Sequence, residues 1–200
     1  MMIVIRWRDM KKSPTPSRKE ISHERILDAA TRAIRRSGYA GTGVADIMKE
    51  AGLTHGGFYA HFESRDALLA EAADRAGQQT VATLRQFVEA APPAERYRTL
   101  VAAYLSRAHA DLVESGCPVA AVGSEMPRQA PEVRHAATRR IKDMIDLVAS
   151  ASPGKGTPGG QAQALSATAT MVGALIIARA VDDPKLADAM LESALHHLAG

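Results

Sequence analysis

Apolar residues recur along this chain at spacings of three and four, the repeat of one face of an α-helix. Between residues 43 and 62 the pattern is most informative. Val44, Ile47, Met48 and Ala51 fall at i, i+3, i+4 and i+7. Gly52 stands where that helix must stop, and only glycine takes a left-handed conformation there without steric cost. Leu53 can plug the angle that follows, and Thr54 is a suitable N-cap for a second helix, His55 to Phe62. Phe58 and Phe62 (i, i+4) then turn inward, leaving His55, Gly56, Tyr59, Ala60 and His61 outward. Two short helices around a tight turn are the geometry that sets one helix in the DNA major groove.

The flanking pattern predicts helices throughout. One runs from about Ser22 to Ser37 with Ile26, Ala29, Ala30, Ala33 and Ile34 as its stripe, Ser22 or a residue near it as cap and Gly38 as stop. After Phe62, Ser64 caps a long helix reaching about Ala91, where Pro92-Pro93 ends it. At about 1.5 Å per residue it spans roughly 40 Å, enough to join two domains. Further helices are predicted over Ala94–Ser115 (Tyr97, Leu100, Val101, Tyr104, Leu105, Ala108 and Leu112 on one side), Val119–Glu125 and Glu132–Ser150. The last two, Ala162–Val181 and Lys185–Leu198, differ from the rest. The first is almost uncharged until Arg179, and a helix apolar nearly all round must be buried. Burial against the same pair of a second subunit predicts a two-fold four-helix bundle and hence a homodimer. A membrane span is not expected, because the segment is short, rich in Ala, Thr and Ser, and flanked by acids.

Composition agrees. Apolar residues are 46% and charged residues 24%, the range of a globular protein, with aromatics at 4%. Charge distribution adds more than the net of +3. Residues 1–63 hold 11 Lys/Arg against 7 Asp/Glu, so +4; residues 64–200 hold 14 against 15, so −1. The positive excess therefore sits with the helix-turn-helix, as phosphate binding requires. Residues 1–19, with Lys11, Lys12, Arg18 and Lys19 around Ser-Pro-Thr-Pro, read as a disordered basic arm. A single cysteine, Cys117, excludes an intrachain disulfide and a Cys-rich zinc site and suits a reducing cytoplasm. The Gly/Pro loop at 151–160 contains Gly-Lys-Gly but lacks the P-loop spacing. His196-His197 has no third ligand in reach by spacing. No paired-carboxylate, Ser/His/Asp or Walker-type arrangement supports an enzyme, and no cofactor or metal is expected.

Residues 20–80 resemble the DNA-binding domain of TetR-type (TetR/AcrR) transcriptional regulators. The resemblance rests on Ile26-Leu27-Asp28-Ala29-Ala30, Gly38-Tyr39, Asp46-Ile47, Ala51-Gly52-Leu53-Thr54 and above all Phe58-Tyr59-x-His61-Phe62-x-Ser64-Arg65-Asp66-Ala67-Leu68. Beyond residue 80 it is architectural only. It implies an all-α fold: a three-helix DNA-binding domain over 20–80 with its helix-turn-helix at 43–62, then a helical ligand-binding and dimerisation domain over 81–200. It implies double-stranded DNA as partner, with Thr42, Gly43, Val44 and Ala45 at the bracing helix. Thr54 then caps the recognition helix and touches phosphate. His55, Gly56 and Gly57 lie at base edges, and Tyr59 and His61 at phosphate or a flanking base. Arg65, where the family more often has Lys, keeps a phosphate-binding charge. Gly56-Gly57 departs from a side-chain-rich reader and shifts specificity toward His55, Ala45 and DNA shape. A small-molecule effector is expected in the core of 81–180, with Tyr97, Tyr104, His109, Cys117, Met126, Met144 and Met171 as candidate lining. Their Met content suits an apolar ligand. The reading is a cytoplasmic homodimeric repressor, released from a pseudo-palindrome by that ligand. The alternative makes Cys117 a redox or electrophile sensor.

Overall fold

The computed structural model describes residues 16–200, and the fold among these is all-helical, as expected. The first helix, α1 (Arg18–Ser37), starts four residues earlier than the stripe suggested. Ser17 is its cap: its hydroxyl accepts from the Glu20 N–H at 3.2 Å, and the Glu20 carboxylate accepts from the Ser17 N–H at 2.6 Å. Two amide groups are satisfied reciprocally, so this Ser-x-x-Glu box outcompetes Ser22. Arg18 and Lys19, expected in the arm, form the first turn of α1; residues 1–15 of that arm lie outside the described residues.

The helix-turn-helix follows. Helix α2 (Val44–Glu50) ends with Gly52 at φ 69°. The Leu53 N–H bonds the Met48 carbonyl at 2.8 Å and the Gly52 N–H bonds that of Lys49 at 2.9 Å. This paired closure needs a left-handed residue at Gly52, as the sequence required. The recognition helix is shorter and tighter than expected, a 3₁₀ segment over His55–Ala60. Helix α3 (Arg65–Ala90) is capped by Ser64, whose hydroxyl accepts from the Ala67 N–H at 3.0 Å.

The body holds α4 (Arg96–Tyr104), α5 (Arg107–Asp111), α6 (Pro118–Val122), α7 (Pro131–Ala151), α8 (Gly160–Ala180) and α9 (Pro184–Ala199). The single helix expected over Ala94–Ser115 is broken at Ser106, which is extended (φ −72°, ψ 148°). Its hydroxyl donates to the Ala103 carbonyl at 2.9 Å and accepts from the His109 N–H at 3.1 Å. Serine offers the backbone local bonds that compete with the helix. The unwinding leaves Leu112, expected on an inner face, 59% exposed. The next helix also stops early, at Val122 rather than Glu125.

Two apolar cores share α3. Leu68, Leu69, Ala72 and Ala73 pack with Ile26, Ile34, Tyr39, Ile47, Phe58 and Phe62 in the head. Val81, Leu84 and Val88 pack with Tyr97, Leu100, Tyr104, Met144, Met171, Leu175 and Leu191 in the body. The head core also recruits Val122, Val133 and Ala136 from α6 and α7, so head and body are packed together. Gly77 lies where α3 meets α7; a Cβ there would overlap that of Arg140, so the close crossing requires glycine. At 21 residues α8 has the length and apolarity of a membrane span, contrary to the expectation that it was too short. One face of it packs in the fold: Ala164, Ala167, Met171, Ala174, Leu175 and Ala178 face the body core, and α7 and α9 flank the helix.

Candidate nucleic-acid interface and effector site

Phe58 anchors the recognition segment. It is 2% exposed, stacks on Phe62 (centroids 5.8 Å apart) and meets the head core. One residue on, Tyr59 is 76% exposed. His55, Gly56 and Ala45 are also exposed, while Gly57, Gly43 and Val44 are half-buried. A Cβ on Gly56 would meet nothing within 4 Å, and one on Gly57 only Met48 Cε at 3.7 Å. The segment thus offers a bare backbone ridge flanked by an imidazole and a phenol. Thr54 holds the N-cap position, but its hydroxyl makes no capping bond and is exposed.

Three candidates sit differently from expectation. Thr42 is 2% exposed, and its hydroxyl donates back to the Gly38 carbonyl, the usual fate of a buried threonine. Its side chain therefore faces the head core. Arg65 donates from Nε and Nη2 to the Thr42 carbonyl (3.4 and 3.2 Å) and from Nη2 to that of Tyr39. Its fork braces the turn that opens α2, and Nη1 is left 3.9 Å from Asp66. His61 is half-buried rather than outward. Its Nδ1 is buried without a partner, and its ring lies 6.3 Å from that of His23. Desolvation, then the nearby His23 and Lys19, lower its pKa.

Charge on the head is partly spent internally. Arg32 and Arg36 pair with Glu50, and Arg75 with Glu24 and Asp28. Arg25 and Lys49 are exposed with no ion pair among the described residues, and Arg25 lies over the turn: a Cβ on Gly52 would be 2.6 Å from its Nη2. Sequence inspection missed Arg25, because the contact bridges α1 and the turn with no local signal.

The effector candidates divide into three groups. Tyr97, Tyr104 and Met171 are buried in the body core. Cys117, Met126 and Met144 line an apolar crevice between α3, α6, α7 and α8, joined by Tyr39 from the head. Its free volume is only about 60 Å³, room for two or so waters, so a ligand must displace side chains. Tyr39 Oη is buried without a partner, and burial beside the Glu125 charge raises its pKa to about 12, which keeps it a donor. His109 lines a second, outer cleft of about 420 Å³ with Leu84, Phe87, Ala103, Leu112 and Gly116. The two cavities share Thr80 and are divided by Gly116-Cys117, whose backbone is latched. The Thr80 hydroxyl donates to the Gly116 carbonyl at 3.4 Å, and the Cys117 N–H donates to His109 Nε2 at 3.0 Å. His109 Nδ1 lies 2.6 Å from the Tyr104 carbonyl, which fixes that nitrogen as the protonated one.

Sequence had also missed the ties between head and body. The Glu125 carboxylate accepts from the N–H groups of Tyr39 (2.9 Å) and Ala40 (3.4 Å) at the end of α1. Arg36 pairs with Glu114 at 3.3 Å, and Arg35 donates to the Glu114 carbonyl at 3.2 Å. A displacement near residues 114–125 therefore reaches the head through short polar bonds as well as through α3.

Two family models match the chain: bacterial regulatory proteins of the tetR family over residues 26–72, and the C-terminal domain of LmrA/YxaF-like transcriptional regulators over residues 93–191. The HTH-type transcriptional regulator YerO of Bacillus subtilis is 39% identical over 51 residues, which is 26% of this chain and 18% of that protein. The HTH-type transcriptional regulator LmrA of the same organism is 28% identical over 128 residues, 63% of this chain and 68% of LmrA. A TetR regulator crystal structure from Chloroflexus aurantiacus superposes with TM-score 0.76 at 26% identity, covering 90% of this chain and 93% of that one. With a head of helix-turn-helix geometry, a helical body and matches to both, the chain belongs to the TetR family of bacterial transcriptional regulators, with an LmrA/YxaF-like C-terminal domain.

Proposed function

We propose that the protein is a cytoplasmic homodimeric repressor that leaves a pseudo-palindromic operator when a small, largely apolar molecule binds its body, and that it is not an enzyme. The observation that carries this reading is the opposed orientation of Phe58 and Tyr59, one sealed in the head core and the other 76% exposed beside His55 and Gly56. Tyr59, His55 and Thr54 are the side chains offered to DNA, with Gly56-Gly57 letting the backbone approach closely. Gly43 and the exposed Ala45 of α2 lie at the bracing side. Arg65 acts on DNA chiefly by fixing the entrance of α2. In the dimer, Leu165, Ile176 and Ile177 of α8 and Leu186 of α9, all exposed in the single chain, are buried against their counterparts. Two heads about 34–36 Å apart then meet successive major grooves. A ligand in the body changes that spacing through α3, so ligand and DNA oppose each other through one reciprocal coupling energy.

The test is a DNA shift assay on the gene's own upstream region, with Tyr59→Ala as control. Wild type should bind that region in preference to random DNA, and the variant should not. Equal binding of both DNAs by both proteins refutes the reading.

A second reading makes Cys117 the sensor. It is favoured by the place of Cys117, which lines the apolar crevice between α3, α6, α7 and α8 with its N–H donated to His109 Nε2. In that reading the Cys117 S–H adds across an activated C=C bond: the C–S bond forms as the π bond breaks, and the thiol proton passes by way of water to the adjacent carbon. Cys117→Ser with an unchanged response to electrophiles in a reporter assay refutes it.

A further inference from the structure

Arg35 is a buried cation and Arg179 a half-buried one, and neither has an acidic partner among the described residues. Arg35, from α1, is 3% exposed. Its Nη atoms donate to Gln79 Oε1 (3.0 Å) and to the carbonyls of Glu114 (3.2 Å) and Ala76 (2.7 Å), and its Nε is buried with no partner. Arg179, from α8, donates from Nε to the Ala110 carbonyl (3.0 Å) and from Nη2 to that of His109 (2.8 Å), and its Nη1 is likewise orphaned. Neither forms an ion pair among the described residues, although Arg32, Arg36, Arg75, Arg107, Arg139 and Arg140 all do. Desolvation lowers both pKa values, that of Arg35 to about 10. A desolvated charge held only by neutral carbonyls is an unfavourable arrangement that an anion would relieve.

Both guanidiniums grip one piece of chain, residues 109–116. The other side of that piece walls the outer cleft through His109, Ser115 and Gly116. Little separates Arg179 from the cleft, since a Cβ on Gly116 would sit 2.6 Å from its Nη2 and 3.0 Å from His109 Cδ2. The rest of the cleft is mostly apolar, with Thr80, Thr83 and Ser106 interspersed, and Phe87 and Leu112, 49% and 59% exposed, stand on its walls. At about 420 Å³ it is within the usual range for a small-molecule site, about 300–1,000 Å³.

We propose that the effector is an amphipathic carboxylic acid, its apolar body in the cleft between α3, α4 and α5 and its carboxylate taken by Arg179 and Arg35 in place of the 109–114 carbonyls. This rests on the effector-responsive reading above and narrows it. A carboxylate is a stronger acceptor than a peptide carbonyl and matches the planar fork of arginine. As it displaces the Glu114 carbonyl from Arg35, the body loses one of its holds on α1, the first helix of the head. Ligand charge is thereby read directly by the DNA-binding module.

The test is calorimetric titration of the full-length protein with two acid–amide pairs, 2-naphthoate with 2-naphthamide and decanoate with decanamide. In at least one pair the acid should bind tenfold or more tightly than its amide. Arg179→Gln should bring acid and amide affinities within threefold of each other, read as their ratio in the same variant. Arg179→Lys should keep most of the preference for the acid, which separates lost charge from lost folding. Acid and amide binding within threefold of each other in both pairs, or no saturable binding of either acid, overturns the inference. The upstream-DNA assay distinguishes the two failures. Release of DNA by an amide as readily as by its acid sinks the carboxylate and leaves the effector reading standing. Absence of specific DNA binding sinks the regulator, whatever the acids do.

Discussion

The strongest single test of the head is the contrast between two adjacent residues. Phe58 is 2% exposed and stacks between the head core and Phe62, whereas Tyr59 is 76% exposed. Truncating a buried phenylalanine to alanine costs about 3–5 kcal/mol, lost transfer energy plus a cavity that closes only in part. Against a total stability of about 5–15 kcal/mol that is a large share. For a chain of this length each kcal/mol moves the midpoint by about 2–4 °C, so Phe58→Ala should lower Tm by about 6–20 °C. Tyr59→Ala removes a side chain that is mostly in water, so its stability should change by less than about 0.5 kcal/mol. Its effect belongs on DNA. One hydrogen bond lost per half-site is worth about 0.5–1.5 kcal/mol, and two-fold symmetry doubles it, giving about 5- to 150-fold weaker binding. Thermal melts and fluorescence polarisation on the upstream region, at two salt concentrations, read both effects. The reasoning fails if Phe58→Ala melts within about 2 °C of wild type. It fails equally if Tyr59→Ala melts as low as Phe58→Ala while binding DNA within twofold of wild type.

Four further outcomes are expected. Glu125→Ala removes the carboxylate that accepts from the Tyr39 and Ala40 N–H groups, so the melt should show a loss of about 1.5–3 kcal/mol, with Glu125→Gln intermediate. Gly56→Ala adds a methyl group into open space, so Tm should hold or rise, by up to about 1 kcal/mol in stability, while DNA affinity in polarisation falls. Ile177→Glu on the exposed face of α8 should convert the dimer to a monomer in light scattering, and an unchanged mass would refute the α8–α9 interface. His109 carries a pH signature. Desolvation holds its pKa below the usual value, the Tyr104 carbonyl opposes this, and Arg179 and Arg35 add to it. The folded state resists a proton that the unfolded chain accepts below about pH 6.5, so this stability is full above that pH. It is lost as pH falls through the lower folded value. His109→Gln should flatten Tm against pH there, and His61, also lowered, should leave a residual slope.

The periodic part of this molecule was legible from its sequence. Phe58 and Phe62 had to face inward because i, i+4 residues share a helix face, and both are buried. Gly52 had to be left-handed because a helix ended there with no room to continue, and its φ is 69°. The long α3 and the terminal pair α8 and α9 followed from uninterrupted stripes. What was misread is where a polar side chain competes with a stripe. Ser106 breaks a helix whose apolar spacing runs through it, and Ser17 starts one before its stripe begins. Arg65 looked like a free charge because its acceptors, the Tyr39 and Thr42 carbonyls, are created by a turn that the side-chain pattern does not specify.

The same limit explains why the regulatory part was hidden while the scaffold was plain. Apolar periodicity reports which face of an element is buried, and nothing about which polar atom meets it from across the chain. The polar contacts around the cavities are of the second kind. Arg35 to the Glu114 carbonyl and Glu125 to the Tyr39 N–H join body to head, and Arg179 to the His109 carbonyl ties α8 to α5, across separations of 79, 86 and 70 residues. Each is a charged side chain on backbone, so its partner leaves no mark on residue identity. A two-state switch needs such contacts. An apolar core this well packed resists small distortions, whereas a guanidinium can exchange one oxygen for another with little rearrangement. The head is therefore expected to respond to its effector through the 109–125 segment, where bonds can be traded. The stacked Phe58 and Phe62 should keep the reading segment rigid in both states.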